Sequence, residues 1–517
     1  MRKALTVGLA ALVLGAIVAP AAAVLPAVGA ISKKNMDWKW NVEADIGSDI
    51  EFLERKLPDG SLKRYAIVGD MGHGFNIIDI TNPDLPLPVG AFVDPGFNWE
   101  GDVQVNPRRN LVVLAVEFPG ITVEHSGGDG IAIVDISNLQ QPTLLSVVDD
   151  VEGAHNVTII DDRYIYTELP TYIIDYTNAS NPINLGKSNT VCGHDITVNP
   201  NNPTRAYTAC DFSLKSQILD ITDPAKPLVI SEIRDTKLEI HHQADPSPDS
   251  SLLVLTDERG GGLTNETCPG GGAHIYDISG KYIPGASESN PRKMGTWFAP
   301  FYSMTGGPTA QQQWGNCTIH VMTFQAERWL TTFGYYSAGS WVVDFQEATK
   351  PSGGEYTEYK GTSFGGPTTW GNTMGNFLPE GAETWSTKWT RFDDPLFDRY
   401  IFTQDITRGM DVFYYTGPMP KKIARLTVDE VATGGDVSGV LDRYAVWTYA
   451  GYVNKPLAGK TLSVSADGGP SVEAISGADG SFSADLNLAP GAHEVTVTWT
   501  DASGVYQTTE VTQTVSS

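Results

Sequence analysis

Apolar residues in this chain recur in short runs that alternate with polar positions and break at Gly, Pro, Asn or Asp. That pattern predicts β-strands. Outside the first residues, no long run carries the apolar period of a helix. One arrangement repeats along the chain: "FNIIDITNPDLP", "IAIVDISNLQQP", "YIIDYTNASNP", "SQILDITDPAKP", "AHIYDISGKYIP" and "SWVVDFQEATKP". Each copy is an apolar run, an Asp, and a polar turn ending at Pro. The aspartates are Asp79, Asp135, Asp175, Asp220, Asp277 and Asp344. A seventh, degenerate copy, "GMDVFYYTGP", has Phe413 in the Asp column. Short polar side chains at such positions bond nearby backbone N–H groups, so these aspartates read as turn-formers.

Two further strand-like runs precede each marker, as in "DIEFLE" then "RYAIVGD", or "GHDITVNP" then "RAYTAC". A fourth run follows, as in "PTLLSVVDD". Four short strands per repeat are the signature of a β-propeller blade, whose sheets bury their faces only by stacking on neighbours. Seven copies predict an all-β chain with a seven-bladed β-propeller over residues 40–427, the markers lying on third strands. "IAIVDIS" and "SWVVDFQ" resemble the LVIVD repeat of bacterial and archaeal secreted and cell-surface proteins, and six of the seven copies keep the Asp. The resemblance implies an extracellular propeller and no particular reaction. Residues 451–517 alternate Val, Thr and Ser with Gly-Asp turns, as in "HEVTVTW" and "GADGSF". They resemble the small Ig-like β-sandwiches appended to secreted bacterial proteins. Residues 428–450 read as the linker.

The N-terminus changes the expected compartment. "MRK", the apolar "ALTVGLAALVLGAIV" and "APAAAV" make a signal peptide of residues 1–23, cut after Ala23 with Ala30 as second choice. An uncleaved anchor is the alternative, but the apolar core is short for a bilayer span. No later segment is apolar enough to cross a membrane. A secreted, monomeric protein in an oxidising setting is expected, and its four cysteines should pair. Cys192 and Cys210 flank the turn "NPNNPT", which pairs them across adjacent strands of the fourth repeat; Cys268 and Cys317 form the second pair. Lys+Arg number 35 against Asp+Glu 61, a formal net charge of −26, which excludes nucleic acid as a natural partner.

Candidate chemistry lies in the histidines. Aligning first strands on their alternation puts His155 ("GAHNVTI"), His194 ("CGHDITV"), His242 ("HHQADP") and His320 ("TIHVMTF") in one column. Gly101, just after Glu100, and Trp385 occupy it in the second and seventh repeats. Equivalent positions of different blades meet around one axis, so four imidazoles should converge at the channel mouth. Neutral imidazoles suit a transition metal ion such as Zn, Cu or Fe rather than Ca or Mg. His241 and Glu100 could complete the shell, with His73 and His125 as distant candidates. In the bland alternative the histidines only hydrogen-bond each other, water or carboxylates such as Asp195. His274 and His493 sit in ordinary strand patterns and read as structural. Acids close the second strands, at Asp70, Glu117, Glu168, Asp211, Asp257 and Asp405, and are read as strand-end hydrogen-bond acceptors. Two aromatic insertions, "GTWFAPFYSMTGGPTAQQQWGN" and "SFGGPTTWGNTMGNFLPEGAETW", are candidate rims of a pocket or plugs of the channel.

No nucleophile elbow, phosphate loop, dinucleotide fingerprint or Cys-x-x-Cys motif is present in the sequence. The preferred expectation is a binding protein that takes a small-molecule or protein ligand at the metal-bearing mouth. The alternative is an extracellular metalloenzyme (hydrolase, lyase or oxidase) using the same channel site. A surface protein with no site is the third reading.

Overall fold

The computed structural model describes residues 30–516 apart from 45, 72–73, 94–96, 120–129, 212, 260–269, 301–316, 346–368 and 430–434; the side chains of 97–101 and 117–119 also lie outside the description. The expected signal peptide, residues 1–23, therefore falls outside the described residues, as do His73, His125 and Cys268. Among the described residues there is no α-helix, and no helix is long and apolar enough to cross a membrane.

The described strands form nine sheets. Five successive sheets, spanning 47–93, 97–148, 157–187, 195–233 and 241–297, are each built from four consecutive antiparallel strands. The sixth spans 322–379 and gains a fifth strand, Ala30–Lys34, which pairs with Asn372–Pro379. The seventh has three consecutive strands, Thr384–Trp389, Tyr400–Asp405 and Gly409–Tyr415. Its fourth comes from the other end of the chain: Met36–Val42 runs antiparallel to Gly409–Tyr415. The expected start at residue 40 was therefore too late. "MDWKW" alternates more buried and exposed positions from Met36 to Trp40, but the strand's partner is too distant in sequence for a local pattern to reveal it.

The first strands of the seven sheets are Gly47–Lys56, Phe97–Asn106, Val157–Ile159, Asp195–Val198, His241–Pro246, Met322–Phe324 and Thr384–Trp389. Each contacts the next, and the last contacts the first, so they close a ring. Neighbouring sheets stack face to face. Leu53, Ile67, Phe75 and Ile77 of the first sheet pack on Val103, Val112, Leu114 and Val134 of the second. Full burial of each such side chain contributes about 1.5–3 kcal/mol.

Every marker lies on a third strand, as expected: Gly74–Asp79, Gly130–Asp135, Tyr172–Asp175, Ser216–Asp220, Ala273–Asp277, Ser340–Asp344 and the degenerate Gly409–Tyr415. In five of them the Asp Oδ1 accepts the backbone N–H two residues on, from Thr81, Ser137, Thr177, Thr222 and Ser279, at 2.6–3.0 Å. The repeated Asp is a turn device. The Cys192–Cys210 disulfide bridges the flanks of the paired strands Asp195–Val198 and Arg205–Ala209. Cys317 is also disulfide-bonded.

The C-terminal part is a two-sheet sandwich. Ala424–Val428, Asp436–Thr448, Gly451–Pro456 and Ser481–Asp485 form one sheet; Val472–Ile475, Thr461–Ala466, Ala492–Trp499 and Thr509–Ser516 form the other. They share a core that includes Leu426, Val437, Leu441, Leu462, Val464 and Trp499. The stretch 428–450 is thus not a linker, because it carries the 13-residue strand Asp436–Thr448. The first half of that strand feeds the sandwich core. Its second half docks on the ring, with Tyr444 against Trp329 (5.4 Å between centroids) and Trp447 N–H donating to the Arg391 carbonyl at 2.8 Å. Arg443 and Lys422 both pair with Glu327, at 2.7 and 2.8 Å. The second aromatic insertion is also partly structural, since Asn372–Pro379 is the fourth strand of the sixth sheet. In the first, Trp297 is fully buried and stacked on Phe333; residues 301–316 lie outside the described residues.

Closure by Met36–Val42 can be weighed by substitution. Met36 is 1% exposed. Met36→Ala should cost about 2–5 kcal/mol in denaturant unfolding, whereas exposed Asp37→Ala on the same strand should stay within about 0.5 kcal/mol. Equal effects would show that this strand does not close the ring.

Candidate metal centre

The second strand of each sheet holds the backbone at or beside each aligned histidine. His155 N–H donates to the Glu168 carbonyl at 2.9 Å, His194 N–H to Ala209 at 2.6 Å and His320 N–H to Gly334 at 2.9 Å. In the fifth sheet His242 lies one residue beyond the His241–Asp257 pair. This common anchoring gives the four histidines one register. Gly193 is required before His194, because a Cβ there would lie 2.7 Å from Ile196 Cγ1.

The four rings form a stepped row. Centroid separations are 4.5 Å from His155 to His194, 4.4 Å from His194 to His242 and 4.2 Å from His242 to His320. Trp385 extends the row, 4.1 Å from His320. His194, His242 and His320 are buried, so the row lies inside the ring rather than at an open mouth. His242 is 1% exposed and neither ring nitrogen has a hydrogen-bond partner. Each nitrogen faces a carboxylate: Asp195 Oδ2 is 3.7 Å from Nδ1, and Glu258 Oε2 is 3.8 Å from Nε2. The other Glu258 oxygen lies 3.7 Å from His320 Nε2 and accepts from Tyr336 O–H at 2.5 Å. Asn156 steadies His194 by donating to its carbonyl at 2.7 Å, and His320 Nδ1 lies 3.0 Å from the Trp385 carbonyl.

Two groups of donors could hold a metal ion: His194, Asp195 and His242, or His242, Glu258 and His320. Within each, the donor atoms lie within 4.8 Å of one another. A tetrahedral ion with bonds near 2.05 Å sets its donors about 3.4 Å apart, so the widest pair would draw in by up to about 1.4 Å. His155 belongs to neither group, and the expected four-histidine shell resolves into histidine–carboxylate triads. His241 is misassigned by the sequence reading. Successive strand residues face opposite ways, and its Nδ1 meets Ser216 Oγ at 2.9 Å. Glu100 lies on the first strand of the second sheet, with its side chain outside the described residues. Asp257 is the strand-end acceptor expected, taking N–H groups of Glu239 and Ile240 at 3.1 and 3.0 Å. Glu258, the next residue, was missed; its position beyond an expected acid, on the opposite side, was the available signal. His274 meets Lys293 and Asp235, and His493 meets Asp467, both away from the row.

Burial, reinforced by neighbouring imidazoles, holds His194, His242 and His320 well below the ordinary imidazole value of 6.5. Each ring is therefore neutral at neutral pH, with one nitrogen carrying a proton and the other offering a lone pair, the form that binds metal. Burial and then Asp49 push Asp195 up to about 7. Burial with neighbouring carboxylates raises Glu168 and Asp102 well above their usual range. The row borders a cavity of about 460 Å³ that runs inside the ring to Trp447 and Tyr452 of the sandwich.

The LVIVD repeat family matches residues 63–93 and 126–150. The chain carries LVIVD repeats. The first match covers the second to fourth strands of the first sheet, and the second covers the third and fourth strands of the second sheet. No curated protein matches the chain. Among solved structures it is similar to a functionally unknown protein from Desulfotomaculum acetoxidans DSM 771, at 12% identity and TM-score 0.39, covering 58% of this chain and 83% of that one. It is also similar to a chain of the COPII outer coat vertex, at 10% identity and TM-score 0.47, covering 77% and 96%.

The raised Asp195 has a signed consequence. Its folded value, about 7, lies above the 3.8 of a free Asp. The stability it contributes is present in acid and lost as pH rises through about 7. Asp195→Asn, which mimics the protonated form, should raise the melting temperature of the metal-free protein more at pH 8 than at pH 5. A smaller gain at pH 8 would contradict this environment for Asp195.

Proposed function

We propose that this is a secreted binding protein: a seven-bladed β-propeller with a C-terminal Ig-like sandwich, holding a transition metal inside the channel. His242, His320 and Glu258 are the donors, with His194 and Asp195 beside them. The observation that carries this reading is His242. A fully buried imidazole with no hydrogen-bond partner on either nitrogen is costly, at about 1–3 kcal/mol per unsatisfied group. Two more imidazoles and two carboxylates around it supply the donor set of Zn or another borderline divalent ion. The signal-like N-terminus and the disulfide support export. The ring of first strands and the repeated third-strand turns support the propeller. Fold and centre together favour a platform that presents a metal to a ligand.

The second reading, a metalloenzyme, draws on the cavity beside the histidines, which leaves room for a molecule next to a metal that they would hold. Chelator-treated full-length protein, reloaded with zinc, dialysed and measured by elemental analysis, tests the site. Wild type should retain about one ion per chain, His242→Ala should lose most of it, and His241→Ala should keep it. Loss in His320→Ala with retention in His194→Ala would place the ion at Glu258; the reverse would place it at Asp195. Wild-type protein that retains no metal would overturn the proposal.

A further inference from the structure

The cavity continues beyond the histidine row, and its lining is unbalanced in charge. Asp49, Glu51, Asp102, Asp195 and Asp245 face Lys388 and Arg391. Lys388 is committed: its Nζ lies 2.7 Å from Asp49 Oδ2 and 2.9 Å from Glu51 Oε1. It shows how an ammonium sits between carboxylates in this cavity. Among the described residues no cation lies within ion-pair distance of Asp102 or Asp245. Their hydrogen-bond partners are neutral, although Arg391 and Lys388 act on Asp245, and Lys388 on Asp102, across the cavity. Asp102 Oδ2 accepts Val157 N–H at 2.9 Å, and Asp245 Oδ1 accepts the Thr197 hydroxyl at 2.6 Å and the Gln243 amide at 3.4 Å. Two independent features show unmet capacity in the same space. His242 is unpartnered, and Asp49, 5% exposed, leaves Oδ1 without a hydrogen bond.

The space is too large for an ion alone. About 460 Å³ compares with roughly 30 Å³ for a water molecule, and is within the range of small-molecule pockets. Apolar surface from Phe52, Met322, Trp389 and Trp447 lines it beside the acids. Arg108, whose side chain is 55% exposed, also lines it, so the cavity reaches solvent at the turn that follows the first strand of the second sheet. That turn lies at the opposite end of the first strands from the histidines.

We propose that this cavity binds a small organic cation, a primary amine with an apolar body, through Asp102 and Asp245 beside the histidine row. The protonated amine brings a positive charge that favours the ionised carboxylates and donates to their oxygens in a desolvated space, where charge-assisted hydrogen bonds are strong. Its body lies against the aromatic lining. The inference deepens the metal-platform reading by naming the class of its ligand, but it rests on carboxylates outside both metal triads.

Isothermal titration calorimetry on the full chain, with benzylamine, benzyl alcohol and benzoate as probes, tests it, with and without zinc. Benzylamine should bind one per chain, benzyl alcohol about tenfold or more weakly, and benzoate not at all. Asp102→Asn and Asp245→Asn keep the shape and the N–H or hydroxyl acceptor while removing charge. Each should weaken benzylamine about tenfold, with cooperative melting at or above the wild-type temperature showing intact folds, and Asp37→Asn should change nothing. Absence of benzylamine binding, equal affinity for the alcohol, or indifference to both cavity substitutions would overturn the proposal. Benzylamine binding without zinc retention would overturn the metal reading alone; zinc retention without benzylamine binding would overturn this one alone.

Discussion

Closure of the ring by Met36–Val42 on Gly409–Tyr415 is the constraint on which the remainder depends. Sheets that bury both faces against neighbours leave two exposed faces if the row stays open. Pairing the chain's beginning with the last sheet sets the seventh sheet on both the sixth and the first. The seven first strands then surround one space. Positions of equal register meet there, so residues as distant as His155 and His320 come to share one row of rings.

That convergence creates electrostatic conflict. Histidines in the row resist protonation because they are buried and adjacent, while carboxylates beside them resist ionisation for the same reason. A purely structural interior would be better served by apolar side chains. A bound metal ion would resolve both terms, since it takes neutral imidazoles and ionised carboxylates together. In the outer parts of the sheets, Asp79, Asp135, Asp175, Asp220 and Asp277 are each satisfied by the turn they form.

The repeat and the histidine column were legible because both depend on local periodicity. Asp79, Asp135, Asp175, Asp220 and Asp277 announce their turns within two residues, and His155, His194, His242 and His320 stand at one phase of an alternating strand. The same alternation separates His241 from His242, and neighbouring positions there should not have been given one role. Glu258 was hidden because it follows Asp257, whose strand-end hydrogen bonds account for the acidic pattern. Met36–Val42 and Asp436–Thr448 were misplaced for a different reason. The first finds its partner at the far end of the chain. The second begins beside a Gly-rich stretch that has the composition of a linker, and only tertiary contacts with Trp329 and Glu327 show that it belongs to a packed element.

In the proposed centre, His242 and its neighbours would hold a metal by imidazole nitrogen and carboxylate oxygen. X-ray absorption at the zinc edge of metal-loaded wild-type protein tests it most directly. The account predicts a first shell of nitrogen and oxygen near 2.0–2.1 Å, with the outer-shell scattering of at least two imidazoles. A first shell of oxygen alone, without imidazole scattering, would contradict it.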